Sequence, residues 1–316
     1  MTSEQPALTI VIAAIDGPDL VNCLGSLLPQ VDSERVEVVA AGVPQLGDFA
    51  KRYTASYGHT FRFLATDQPG FVPGYVRGAD AATGEWLLFF DDDTVVPPGF
   101  MSRFLELIET TDADILGLAA MPLPEDAYLP QSIRYLELAL RRTLHRPIAI
   151  WMSQMACRRA VYEDLGGFAI EHGLNLSGRG GFITRARRRD LKAVYLPDVA
   201  VYDHSQTVAE VIRLEWRSVK RVDARRSAAY YRLPYAIALV VGAIAAVVGM
   251  GTRLRLPMLT GGTLAGLAVA AAVGATVRAP LRFVPGIFLA VGMRSVFMVL
   301  RAMLYVRARA QKRSET

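Results

Sequence analysis

The chain has 316 residues, 35 Lys and Arg against 30 Asp and Glu, a net charge of +5 and 52% hydrophobic residues. That length suits one large domain plus further elements, and a mean hydropathy of +0.26 is high for an ordinary soluble protein. The basic excess sits beside an apolar carboxyl-terminal region, and basic and aromatic residues do not alternate, which excludes nucleic acid as a partner and points to a membrane surface.

Thr2–Ala7 is polar, so no amino-terminal signal peptide is expected. Leu8–Ile15 reads as a first buried strand. Asp16-Gly17-Pro18-Asp19 turns it, and Asp16 or Asp19 can cap a helix over Leu20–Gln30, where Leu20, Leu24, Leu27 and Leu28 share a face. Cys23 and Cys157 form no paired motif and read as buried thiols in a reducing compartment. Val36–Ala41 predicts a second strand, Phe49–Tyr57 a helix and Thr60–Leu64 a third strand. Asp67–Gly74 holds two prolines and two glycines and reads as a loop, followed by a short helix over Val76–Thr83. This βαβαβ alternation predicts a parallel sheet with right-handed crossovers.

The stretch Glu85–Pro98 organises the rest. Trp86–Phe90 is an unbroken apolar run, the mark of a strand buried on both faces. Asp91, Asp92 and Asp93 follow at once, then Pro97 and Pro98. Ligands of open α/β sheets bind outside the carboxyl ends of the strands, which is where this places three carboxylates. Adjacent carboxylates repel unless a cation or a metal-bound diphosphate lies between them.

Beyond it, Phe100–Thr110 reads as a helix, Asp114–Ala120 as a strand and Met121–Pro130 as a loop. Gln131–Leu144 is helical, Ile148–Ala156 a strand, Phe182–Arg189 a helix and Ala193–Leu196 a strand leading to His204.

Four stretches within residues 7–221 resemble the family 2 glycosyltransferases of the GT-A fold, in a form with carboxyl-terminal membrane helices. They are Thr9–Gln30, Ala82–Pro97, Arg158–Phe168, and Arg185–Arg189 with Tyr195–His204. The resemblance implies an α/β, Rossmann-like, mostly parallel catalytic domain over residues 1–210. It implies Mg²⁺ or Mn²⁺ held by Asp91, Asp93 and His204, and a nucleotide-sugar donor bound by Asp16, Asp91, Asp92 and Arg185. Such a metal prefers carboxylate and phosphate oxygens and neutralises the leaving nucleotide.

Three departures stand out. Ala40-Ala41-Gly42 occupies the place of the family's base-reading acid, and Tyr75-Val76 that of its Arg-Asn pair. The family's catalytic Glu-Asp pair would fall near Gly178-Arg179, but no carboxylate lies between Glu171 and Asp190. A transfer with inversion needs a base for the acceptor hydroxyl, and Glu171 and His172 are the nearest candidates.

The carboxyl-terminal part reads as membrane-associated. Residues 211–232 form a basic juxtamembrane helix. Leu233–Thr252 is uncharged over 20 residues and Leu256–Val277 over 22, each long enough to span a hydrocarbon core of ~30 Å. Residues 283–306 fit an amphipathic interfacial helix or a third span, and 307–316 form a basic tail. The arginines before the first run place that side in the cytoplasm. The expectation is therefore a multi-pass cell-membrane hexosyltransferase with a cytoplasmic catalytic domain and a lipid or lipid-linked acceptor. A second reading is a catalytically silent homologue that acts as a binding or partner subunit.

Overall fold

The computed structural model describes residues 5–144, 150–168, 181–204, 207–220 and 279–291. They divide into two units, Met1–Met121 with Leu144–His204, and Pro122–Thr143 with Ser205–Thr316. The strands are β1 (Leu8–Ala14), β2 (Val36–Gly42), β3 (Phe61–Ala65), β4 (Trp86–Asp91), β5 (Ile115–Pro122), β6 (Gln154–Arg158) and β7 (Ala193–Asp203). The helices are α1 (Gly17–Leu27), α2 (Gly47–Tyr57), α3 (Phe71–Ala81), α4 (Phe100–Thr110), α5 (Tyr128–Leu144), α6 (Arg159–Asp164), α7 (Phe182–Arg188) and α8 (Val208–Lys220).

One sheet runs in the order β3-β2-β1-β4-β6-β5-β7. β1 pairs parallel with β2 and β4, and β2 with β3; β6 runs antiparallel to β4 and β5. Side chains alternate between two cores. Leu8, Ile10 and Ile12 join Leu20 and Leu24 of α1 and Phe100 and Phe104 of α4. Val11 and Ala13 join Val72 and Tyr75 of α3 and Phe182 of α7. With both faces covered, the central strands are apolar on both sides, which is why β4 reads as an unbroken hydrophobic run over Trp86–Phe90 and β1 as one interrupted only by Thr9.

Three of the stretches that carried the resemblance meet at the start of β4. Gly84 has no room for a side chain, since a Cβ would stand 2.4 Å from the Thr9 nitrogen. The Thr9 hydroxyl accepts the Gly84 N–H at 2.8 Å and donates to Glu37 at 2.7 Å, and Glu37 also accepts from Thr83 and Arg62. From the third stretch, Arg158 pairs with Glu85 at 2.9 Å and the Arg159 guanidinium donates to the Gly84 carbonyl at 2.9 Å. Gly166 and Gly167 end α6 at φ +74° and +62°, a conformation that favours glycine. That turn sends Phe168 into an aromatic cluster with Tyr75, Phe89, Tyr162 and Phe182.

Several expected boundaries move. The loop expected to reach Gly74 stops at Gly70, and α3 starts at Phe71. Pro73 lies in the first turn, where no intrahelical N–H bond is required. Gly74 and Gly78 let α3 approach the sheet: a Cβ on Gly78 would stand 2.4 Å from Val11 Cγ1, and one on Gly74 2.8 Å from the Ala41 carbonyl. The strand expected over Ile148–Ala156 is β6, displaced to Gln154–Arg158 because its partners in β4 and β5 set its register. β7 continues to Asp203, well past Leu196.

In the second unit, residues 279–291 pack on α5. Phe283 contacts Tyr128 and Tyr135 at ring separations of 5.4 and 5.1 Å, and the Tyr128 hydroxyl donates to the Arg282 carbonyl at 2.7 Å. Phe283, Ile287 and Ala290 are buried, whereas Leu281 and Leu289 are exposed. Residues 283–291 begin the stretch 283–306 expected as an interfacial helix or a third span, and Phe283 packs on α5. α8 opens with a reciprocal cap: the Thr207 N–H donates to Glu210 and the Glu210 N–H to the Thr207 hydroxyl. It starts earlier than the juxtamembrane helix expected from residue 211 and shows Ile212 and Trp216 to solvent. Among the described residues no helix is long and apolar enough to cross a membrane. The two expected spans, 233–252 and 256–277, lie outside the described residues.

Candidate active site

Strand order reverses about β1: β2 and β3 lie on one side of it and β4 on the other. Such a switch point opens a crevice at the carboxyl ends of the strands. Ala13 at the end of β1 is in register with Asp91 at the end of β4, so the acidic turn meets the β1–α1 turn there.

The Asp92 side chain is buried, and its Oδ2 accepts the backbone N–H groups of Ile15 and, at 2.6 Å, Asp16. It thereby fixes the turn where Asp16 sits. The Asp16 backbone starts α1, and its Oδ1 accepts the Asp19 N–H at 3.3 Å. Asp91 accepts hydrogen bonds from the fully buried Tyr75 phenol and from the Ser153 hydroxyl. Tyr75 reaches it because α3 lies so close to the sheet. Ser153 reaches it because Phe90 pairs with Gln154, so the preceding residue of the antiparallel chain faces Asp91.

Asp93 meets Asp203 through the other edge of the site. Val95 and Tyr202 exchange two backbone hydrogen bonds, each 2.8 Å, in an antiparallel bridge. That register brings the residue after Tyr202 back to the acidic turn, and the Asp93 and Asp203 carboxyls come within hydrogen-bond reach. Asp203 is buried and its Oδ2 accepts Gln154 Nε2 at 3.3 Å. Asp93 Oδ1 and Gln154 Oε1 are buried without a hydrogen-bond partner.

Crowding and burial bear on the charges. Burial raises the Asp91 pKa to about 7, with Asp203 and Asp92 adding to it and the Tyr75 phenol opposing it. Burial raises Asp93 to about 9, reinforced by the carboxylates of Asp203 and Asp91. Asp92 is also raised by burial, against the two N–H groups it accepts. These groups are held ready for positive charge. A divalent cation fits this donor set, since it would supply the counter-charge and a partner for the orphaned Asp93 oxygen.

The remaining expected residues are more dispersed. His204 follows Asp203 and is exposed. Arg185 donates to the Gly167 carbonyl and lies 5.8 Å from the Phe182 ring centroid, so these contacts tie it to the aromatic cluster. Glu171, His172 and the Gly178-Arg179 position lie outside the described residues. Sequence reasoning missed Asp203, Ser153 and Gln154, and saw Tyr75 only as a departure. The one available signal was the sequence Tyr202-Asp203-His204, a second acid at the end of a late strand.

Residues 9–165 match the family model described as Glycosyl transferase family 2. No curated protein is a significant match. Among solved structures, the mannosyltransferase PcManGT from Pyrobaculum calidifontis, in complex with GDP-Man and Mn2+, is similar at 16% identity and a TM-score of 0.59, over 92% of this chain and 87% of that one. S. aureus TarS 1–349 in complex with UDP is similar at 16% identity and a TM-score of 0.49, over 68% of this chain and 65% of that one. The first likeness shows a shared GT-A-like fold.

Proposed function

We propose that this glycosyltransferase, whose family 2 domain spans residues 9–165, moves a sugar from a nucleotide-sugar donor to a lipid-linked acceptor at the cytoplasmic face of a membrane. The observation that carries the donor reading is the acidic turn Asp91–Asp93, set at the carboxyl end of β4 where the sheet changes direction. The complex of PcManGT with GDP-Man and Mn2+ supports a nucleotide sugar and a divalent metal. In that reading Asp93 with neighbouring carboxylates would hold a cation, which would supply counter-charge to the diphosphate leaving group.

The chain's own residues do the rest. Asp92 pins the Ile15 and Asp16 backbone so that the β1–α1 turn presents a fixed edge to the donor. Tyr75 and Ser153 hold Asp91 in one orientation. Glu171 and His172 are the candidates to take the acceptor proton. The membrane part of the proposal rests on the uncharged runs 233–252 and 256–277 and on the exposed Ile212 and Trp216 of α8, beside Arg213 and Arg217.

Calorimetric titration of UDP, GDP and their sugars into detergent-solubilised protein, with and without Mn²⁺, tests the donor site. Metal-dependent binding that Asp93→Asn abolishes is expected. Binding unchanged in that variant, or no binding by the wild-type protein, would overturn the reading.

A further inference from the structure

The acidic turn does not treat its carboxylates alike. Asp91 is occupied by two hydroxyl donors, Tyr75 and Ser153. Asp92 is occupied by two backbone N–H groups. Asp93 instead faces another acid, Asp203, and keeps one buried oxygen without a partner. Asp203 is 5% exposed and comes from a distant strand, and Gln154, which donates to it, is 1% exposed with its own carbonyl oxygen unpaired. A buried polar atom without a partner costs about 1–3 kcal/mol, and two carboxyls in contact must either repel or hold a proton between them. A fold retains such an arrangement at a site completed by something else.

We propose that Asp93 and Asp203 together face the divalent cation of the donor complex, and that Asp91, held by Tyr75 and Ser153, is a positioning residue. The inference rests on the nucleotide-sugar reading above and assigns labour within it. It moves the expected metal role from Asp91 and His204 to Asp203. Among the described residues no group of three His, Cys, Asp or Glu side chains closes on one point to hold an ion unaided. Two carboxylates plus donor phosphates suffice for an ion of the Mg²⁺ type. The cation therefore binds weakly alone and tightly with a nucleoside diphosphate.

The test is a Mn²⁺ titration of the full-length protein followed by electron paramagnetic resonance, with and without UDP or GDP. Wild type is compared with Asp91→Asn, Asp93→Asn and Asp203→Asn. With nucleotide present, Asp93→Asn and Asp203→Asn each weaken Mn²⁺ binding by at least about tenfold, and Asp91→Asn weakens it less than either. A second readout separates this role from a structural one. Asp203→Asn keeps the size of the side chain but removes its negative charge, so it loses the rise in melting temperature that metal with nucleotide gives wild type. If Asp203→Asn keeps wild-type Mn²⁺ affinity while Asp93→Asn loses it, this inference falls and the donor reading stands. A lowered melting temperature with the metal-induced rise intact has the same meaning. If wild type binds neither nucleotide, the donor reading falls and takes the inference with it.

Discussion

Asp91 and Asp93 are the residues at which fold and chemistry conflict most openly. A carboxyl group whose folded-state pKa is raised holds its proton more tightly folded than unfolded. An unfolded Asp titrates near 3.9, whereas burial and neighbouring carboxylates bring Asp91 to about 7 and Asp93 to about 9. Between those limits the folded protein carries more protons, so raising the pH destabilises it. The contribution is complete below about pH 4 and gone above about pH 9. Metal-free protein in a chelator should thus lose melting temperature from about pH 5 to 8.5, more steeply in wild type than in Asp93→Asn. Adding Mg²⁺ with a nucleoside diphosphate should flatten the wild-type slope. Equal slopes for wild type and Asp93→Asn would mean that these carboxylates are not crowded as the structure places them. The triad itself was plain in the sequence because all three acids are contiguous. Asp203 was hidden because it lies 110 positions beyond Asp93 in the chain and only the Val95–Tyr202 bridge brings it back.

At the scale of elements, α3 links packing to the site. Gly74 and Gly78 lie one helical turn apart and face the sheet, and Tyr75 between them carries the phenol that holds Asp91. Adding a methyl group at Gly78 must push α3 outward, because the Cβ would meet Val11 Cγ1 at 2.4 Å. Overpacking of this kind costs about 1–3 kcal/mol, so Gly78→Ala should lower stability by that amount in urea unfolding. Nucleotide affinity should fall beyond what the lost stability explains, since Tyr75 shifts with the helix. Full stability in Gly78→Ala would show that α3 does not sit so close. The sequence revealed the order of the strands and helices on the parallel side, where alternating apolar runs and helical spacing are local signals. It misplaced the start of α3 because Pro73 and Gly74 read as breakers, while at the first turn of a helix pressed on a sheet they are suited to their positions. It could not place β6, a short strand whose antiparallel direction depends on pairing with residues far away in the chain.

The whole molecule poses the question of where this chemistry takes place. A helix rises 1.5 Å per residue, so ~20 residues cross a hydrocarbon core of ~30 Å. The runs 233–252 and 256–277 have 20 and 22 residues without a charge, and only Arg253, Leu254 and Arg255 join them. Before the first run stand Arg213, Arg217, Lys220, Arg221, Arg225, Arg226 and Arg232; after the second stand Arg278 and Arg282. The proposed arrangement, two spans with both flanks in the cytoplasm, would follow the distribution of positive charge and would suit a lipid acceptor. The short connection would then face the opposite side. Cys23 and Cys157 are buried thiols, and burial pushes the pKa of both well up, away from the reactive thiolate. A cysteine introduced as Thr252→Cys would therefore be the reactive thiol of the intact protein. It should react with a membrane-impermeant maleimide added outside intact cells, and the protein should remain in the membrane fraction after a carbonate wash. Labelling only after permeabilisation, or release by carbonate, would remove the two-span arrangement and with it the reason to look for the acceptor among lipids.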